Sequence, residues 1–152
     1  MTEPTQDLLA QAAALHRQGR RAEAIDLFRQ VLAARPENAE GWYELGYLLR
    51  AEGRHQEAFD AYGEALARGV RRAEEVHLNR AALLSDFLRR DDAAEAELRA
   101  ALALSPRYLP AALNLGNLHE ERGERDLALA CYDDILAGPA PADRASEELR
   151  QE

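Results

Sequence analysis

One apolar skeleton recurs four times along this chain of 152 residues. Its second copy is the fullest: Trp42, Leu45, Gly46 and Leu49, then Gly53, Ala58 and Tyr62. The first four stand at i, i+3, i+4 and i+7, which is one face of a helix, and Ala58 and Tyr62 sit one turn apart on the next. Ala24, Ala58, Ala94 and Ala128 are each followed four residues later by Phe28, Tyr62, Leu98 and Tyr132, with the alanines 34, 36 and 34 residues apart. Two short helices of this kind cannot bury their apolar faces alone. The copies must stack, each touching only its neighbours, and leave an extended groove along one side.

Turn residues fall in the same register. Gly19, Gly53 and Gly123 end the first helix of their repeats, as residues tolerant of the left-handed conformation do. Arg89 stands at the equivalent place in the third repeat and is followed by Asp91 and Asp92, which are suited to capping the next helix. Ahead of each Ala and large-residue pair, on the preceding helix, lies another small residue: Ala12, Gly46, Ala82 or Gly116. Small is therefore expected to meet small where the paired helices cross. Pro36 and Pro106 close the first and third repeats.

This W-x2-L-G pattern, followed by A-x3-F-like pairs and a closing proline at a period near 34, resembles the tetratricopeptide repeat (TPR) family. The resemblance covers nearly the whole chain. It implies an all-α fold, a right-handed α-α superhelix of four helix-turn-helix repeats in a single domain over residues 1–152. The repeats are placed at residues 5–38, 39–72, 75–108 and 109–142, with a short C-terminal capping helix over 143–152, Asp143 its N-cap, laid on the last repeat by Ala145 and Leu149. Two extra residues separate the second and third repeats, and Gly69 replaces the proline region there, so a slightly longer loop and a local change of superhelical pitch are expected. Gly63, inside a helix, is either the site of a close contact or a tolerated defect of about 1 kcal/mol relative to alanine.

Composition narrows the function classes. The net charge is −9, and beyond Glu120 acids far outnumber arginines; a phosphate backbone would be repelled, so no nucleic-acid partner is expected. Every basic residue is arginine and alanine is abundant, as in the products of a GC-rich bacterial genome. The start has no basic stretch followed by an apolar run, and no stretch of about 18 apolar residues occurs, so a cytoplasmic location without membrane insertion is expected. Cys131 is the single cysteine, without a disulfide partner or metal-ligand spacing, and reads as a partly buried helix residue.

Catalysis has little support, and no enzyme activity, cofactor or metal is expected. His16, His55, His77 and His119 fall in four different repeats, and His119-Glu120-Glu121 does not continue to a second histidine at the metalloprotease spacing. The glycines form no phosphate loop. Adjacent acids such as Asp133 and Asp134 diverge on a helix and read as a solvated face.

Recognition chemistry is placed by helical offset. Trp42, Leu45, Gly46 and Leu49 pack, so a stripe turned by about 100° carries Tyr43, Tyr47 and Arg50. The same offset gives Leu9, Ala13 and His16; Asn79, Leu83 and Asp86; and Leu113, Asn117 and Glu120, with Glu44, Arg80 and Asn114 one step further round. The resemblance implies that this face lines the concave groove and holds a peptide or helix of a protein partner, with asparagines gripping the main chain. The candidate groove residues are therefore Tyr43, Tyr47, Arg50, Asn79, Arg80, Leu83, Leu113, Asn114 and Asn117. The family's clamp for the carboxylate of chaperone tails is not reproduced: Leu9 and Ala13 occupy its first places, Glu44 replaces an amide, and Arg80 alone fits.

Function is therefore expected to be that of a protein–protein interaction adaptor or scaffold. Two alternatives stand beside it: an N-terminal docking module of a larger bacterial enzyme, resembling the TPR arrays fused to sulfotransferases or glycosyltransferases, and a homo-oligomer built through the C-terminal repeat by Leu129, Ile135 and Leu136.

Overall fold

The computed structural model describes residues 4–137. Among them run α1 (Pro4–Arg17), α2 (Arg21–Ala34), α3 (Ala39–Ala51), α4 (His55–Ala67), α5 (Ala73–Asp86), α6 (Asp91–Leu104), α7 (Leu109–Glu121) and α8 (Arg125–Leu136). Each odd-numbered helix packs on the even-numbered helix that follows it, and each pair packs on the next through α2 against α3, α4 against α5 and α6 against α7. The architecture is an all-α tetratricopeptide-type superhelix. The proposed cap over 143–152 lies outside the described residues. Among the described residues no helix is long and apolar enough to cross a membrane.

The crossings follow the size of the residues that meet there. A methyl group added to Gly46 would lie 2.7 Å from Cδ1 and 2.8 Å from Cε1 of Tyr62, and one added to Gly116 would lie 2.6 Å from Cε1 of Tyr132. At these two crossings small therefore meets large, not the expected small: each tyrosine ring lies against bare backbone. The repeats that carry alanine instead, Ala12 and Ala82, have Phe28 and Leu98 in the large position. Tyr62 is completely buried, and its hydroxyl has no partner in hydrogen-bond geometry. Burial holds its pKa well above the tyrosine range, the nearby Arg50 guanidinium offsetting only part of that.

The turns show one conformation met by two residue types. Gly53 and its equivalents adopt φ near +75°, and Arg89, at the corresponding place in the third repeat, also turns left-handed at φ 52°. The backbone there is imposed by the repeat rather than by glycine. Asp91 and Asp92 do not cap: the N-cap of α6 is Arg90, without a side-chain cap bond, and the two acids occupy the first helical turn. There they still complement the positive end of the helix dipole. A true cap appears at α3, where Asn38 accepts from the Gly41 amide at 3.0 Å.

The junction between α4 and α5 differs from the other two. Its turn, residues 68–72, has one residue more than those at 35–38 and 105–108, with Gly69 and Arg72 both at positive φ. The apolar core divides here. One cluster spans α1 to α4 and takes Val76 and Leu83 from α5, the other takes Ala81 and Leu84 with α6 and α7, and Phe59 touches both. An ionic group sits in the seam: the Arg80 guanidinium lies 4.1 Å from the Phe59 ring centre and 2.9 Å from Glu97 Oε1, whose other oxygen is 2.6 Å from His77 Nδ1.

Gly63 faces this seam in α4, and a methyl group there would meet nothing closer than Arg80 Nη2 at 3.7 Å, an ordinary contact. The tolerated-defect reading therefore holds. Gly63→Ala should raise stability by about 0.5–1 kcal/mol through helix propensity alone; a urea melt with unchanged slope and a higher midpoint is the expected result, and a lower midpoint would reveal a close contact after all.

Candidate functional site

The face formed by α1, α3, α5 and α7 is built from the stripe beside the packing residues. In its middle, Arg50 donates to Asn79 Oδ1 at 2.9 Å. The Tyr43 ring packs against the buried Tyr62 ring with centres 5.8 Å apart, and Tyr47, 48% exposed, stands edge-on to His16 at 5.9 Å. Burial, followed by the Glu75 and Glu44 carboxylates, raises the Tyr43 pKa, and the Asn79 side chain acts against them. Tyr43, Tyr47, Arg50 and Asn79 are thus brought together as a strip across α3 and α5, continued onto α1 by His16.

Two clefts flank the strip at equivalent junctions. Between α1 and α3, a cleft of about 370 Å³ has Leu9, Ala13, Phe28 and Leu48 in its lining, together with Glu40, Glu44, His16 and Arg17. Between α5 and α7, a cleft of about 170 Å³ is lined by Ala81, Leu98 and Leu118, with Ser85, Asp86, Asn114, Asn117 and Glu121. Asn114 and Asn117 therefore share one opening. The Asn117 amide oxygen is already engaged, accepting from the Tyr132 hydroxyl at 2.7 Å, which leaves its NH2 group as the outward donor. Leu113, 45% exposed, lies on the same helix.

Two candidates do not belong to this surface. Leu83 is fully buried and is part of the first core cluster, so it presents no area to a ligand. The longer turn before α5 sets this helix so that the Val76–Leu83 edge, seven residues apart, points into the seam, although Leu83 is the repeat equivalent of the exposed Tyr47. Arg80 is turned into the same seam by Phe59 and Glu97, which removes the one clamp-compatible cation. The paired aliphatic residues at 76 and 83 were the available signal.

Sequence reasoning by helix offset placed Glu44 one step round, and the structure gives it a specific environment. Burial raises its pKa, with His16 pulling the other way and Glu40 adding to the rise. A carboxyl that holds its proton more readily folded than unfolded loses stability as pH rises through the carboxylate range. Glu44→Gln should therefore melt at a higher temperature than the wild type at pH 7, the difference vanishing below about pH 4. Calorimetry at the two pH values checks the sign; a variant that melts lower at pH 7 would show that the carboxylate is stabilising.

His119, expected to be a packing or surface histidine, is buried at 1% exposure. Its Nδ1 lies 3.2 Å from Glu124 Oε1 and its Nε2 3.5 Å from Glu95 Oε1. It fills the aromatic's place in its repeat, and Arg122, which reaches Asp92, Glu95 and Glu124, ties the same acids together. Among the described residues no group of three or more His, Cys, Asp or Glu side chains is placed to hold a metal ion.

The chain matches two tetratricopeptide-repeat models, over residues 9–75 and 111–145. No curated protein matches it. Among solved structures it is similar to MamA at 20% identity and TM-score 0.80, covering 88% of this chain and 77% of that one. A tetratricopeptide repeat protein from Parabacteroides merdae superposes at 23% identity and TM-score 0.81, covering 88% and 52%. YrrB, described as a TPR protein with an unusual peptide-binding site, superposes at 20% identity and TM-score 0.71, covering 84% and 65%. Likeness at these identities speaks to the fold, and the fold agrees with the two models that together match most of the sequence. The chain belongs to the tetratricopeptide repeat family.

Proposed function

We propose that this chain is a protein-interaction module without catalytic activity, which holds a segment of a protein partner along the face of α1, α3, α5 and α7. The observation that carries the reading is the strip of Tyr43, Tyr47, Arg50 and Asn79 between two open clefts. An exposed tyrosine supplies a large, rigid contact at little cost in side-chain entropy, and amides beside it can pair with an extended main chain. The neighbouring YrrB structure, described by its peptide-binding site, is consistent with such a use of the fold.

The test is retention of proteins from a lysate of the source organism on the immobilised chain, with Tyr43→Ala/Tyr47→Ala alongside. A partner held at least tenfold more strongly by the wild type than by the folded double variant is expected, since central aromatic contacts are commonly worth 1 kcal/mol or more each. Equal retention would remove the strip from the account.

A second reading has its own observation. Leu129 and Leu136, on the outer side of α8, are 48% and 82% exposed, whereas their repeat equivalents Phe59 and Leu66 are packed against the core by the following helix. A further copy of the chain could cover that end. Light scattering over a hundredfold range of concentration separates the readings: a mass that stays monomeric dismisses self-association.

A further inference from the structure

We propose that the segment held in the groove is cationic, an extended stretch with two lysine or arginine side chains, each beside an apolar anchor, one for each cleft. The inference rests on the groove reading above and adds the chemistry of the ligand to it.

The arginines are spent unevenly over the surface. On α2 and α6 and at the N-cap of α4 they are paired: Arg29 and Arg54 with Glu57, and Arg99 with Glu95. In the seam, Arg80 is taken by Glu97 and Phe59. The carboxylates that line the two clefts are treated differently. Among the described residues, Glu44, Asp86 and Glu121 make no ion pair. Glu40 accepts only the Arg71 backbone amide, at 2.9 Å. The α5–α7 cleft has no cation in its lining, and the α1–α3 cleft has Arg17 and the imidazole of His16 beside Glu40 and Glu44.

Each cleft therefore sets unpaired negative charge at the edge of an apolar floor. Leu9, Phe28 and Leu48 line one floor, and Leu98 and Leu118 the other. Such a site favours a residue pair with one apolar member to fill the floor and one basic member for the carboxylates. A guanidinium or ammonium group there makes charge-assisted hydrogen bonds, and its charge offsets the desolvation that raises the Glu44 pKa. An acidic or phosphorylated segment would meet like charge in both clefts.

The two clefts are two repeats apart, and successive odd-numbered helices are joined through the even-numbered helix between them, so a segment that reaches both clefts must cross the face of α3 and α5. The strip of Tyr43, Tyr47, Arg50 and Asn79 lies between them and takes the intervening main chain.

A phage-displayed library of random dodecapeptides panned on the full chain is the probe. The tightest recovered peptide is then labelled and titrated by fluorescence anisotropy against wild type, Glu44→Gln, Asp86→Asn and Tyr43→Ala/Tyr47→Ala, all verified as folded by circular dichroism. Enrichment of lysine or arginine next to an aliphatic or aromatic residue is expected, with affinity falling roughly fivefold for each carboxylate neutralised and falling further as salt is raised. Recovered peptides that are neutral or acidic, and that still need the two tyrosines, would overturn the charge inference while leaving the groove intact. Peptides indifferent to the tyrosines, or no peptides at all, would overturn both.

Discussion

Gly46→Ala is expected to destabilise the chain by about 2 kcal/mol, although alanine is the better helix former by about 1 kcal/mol. The added methyl group would sit 2.7 Å and 2.8 Å from two atoms of the Tyr62 ring. That ring is completely buried and has no free end to swing away, so the strain belongs at the upper end of the overpacking range, about 3 kcal/mol. The third repeat supplies the control, since its Ala82 is paired with Leu98. In a Tyr62→Leu background the same Gly46→Ala change should be neutral or stabilising by up to about 1 kcal/mol. The two changes would then couple by roughly 2–3 kcal/mol in a denaturant double-mutant cycle. Additivity would mean that the residue sizes at the crossing are unrelated.

Leu83→Ala should be the other severe change, lowering stability by about 2–5 kcal/mol. Leu83 is inaccessible and joins α5 to the cluster of α1 to α4 at the seam where the apolar core divides. Removing it leaves a cavity where the two halves of the solenoid have Phe59 as their shared apolar contact. Because repeats interact chiefly with their neighbours, weakening one junction lowers the cooperativity of the array. A broader urea transition for Leu83→Ala than for wild type is therefore expected, together with the lower midpoint. The opposite result, wild-type stability with weakened partner binding, would return Leu83 to the groove.

What the sequence revealed, it revealed through periodicity. The Ala24, Ala58, Ala94 and Ala128 register located the helix pairs because each alanine is inaccessible or nearly so, which is the physical requirement that fixed the letter. Gly46 and Gly116 were legible as small residues at the crossings, but that a tyrosine ring, not another small residue, faces each of them was not. Arg89 was found at a glycine place and does adopt the glycine conformation. The same reasoning failed where one junction departs from the average. Leu83 and Arg80 were assigned by offset from Tyr47 and Glu44, but the longer turn at 68–72 sets α5 so that both enter the seam. A period describes the mean repeat, and a burial pattern peculiar to one interface is not contained in it.

The candidate site was legible in its residue types more than in its connections. Tyr43 and Tyr47 were singled out as aromatic residues beside a packing stripe. That Tyr47 meets His16 of the preceding repeat and Arg50 meets Asn79 of the following one depends on the stacking of three repeats. The unpaired carboxylates were likewise invisible, because pairing on α2, α4 and α6 is a matter of which arginine reaches which acid. A count of charges gives −9 for the whole chain without saying which face carries it.

The central claim, that one face of the helical array is the recognition surface, is tested most directly by an amide NMR titration of the full chain with the tightest library peptide. The account predicts that shifts concentrate on α3, α5 and α7 around Tyr47, Asn79 and Asn117, with the outward-facing residues of α4 and α6 unmoved. Shifts confined to α4, α6 and α8, with Tyr47 and Asn79 unperturbed, would contradict it.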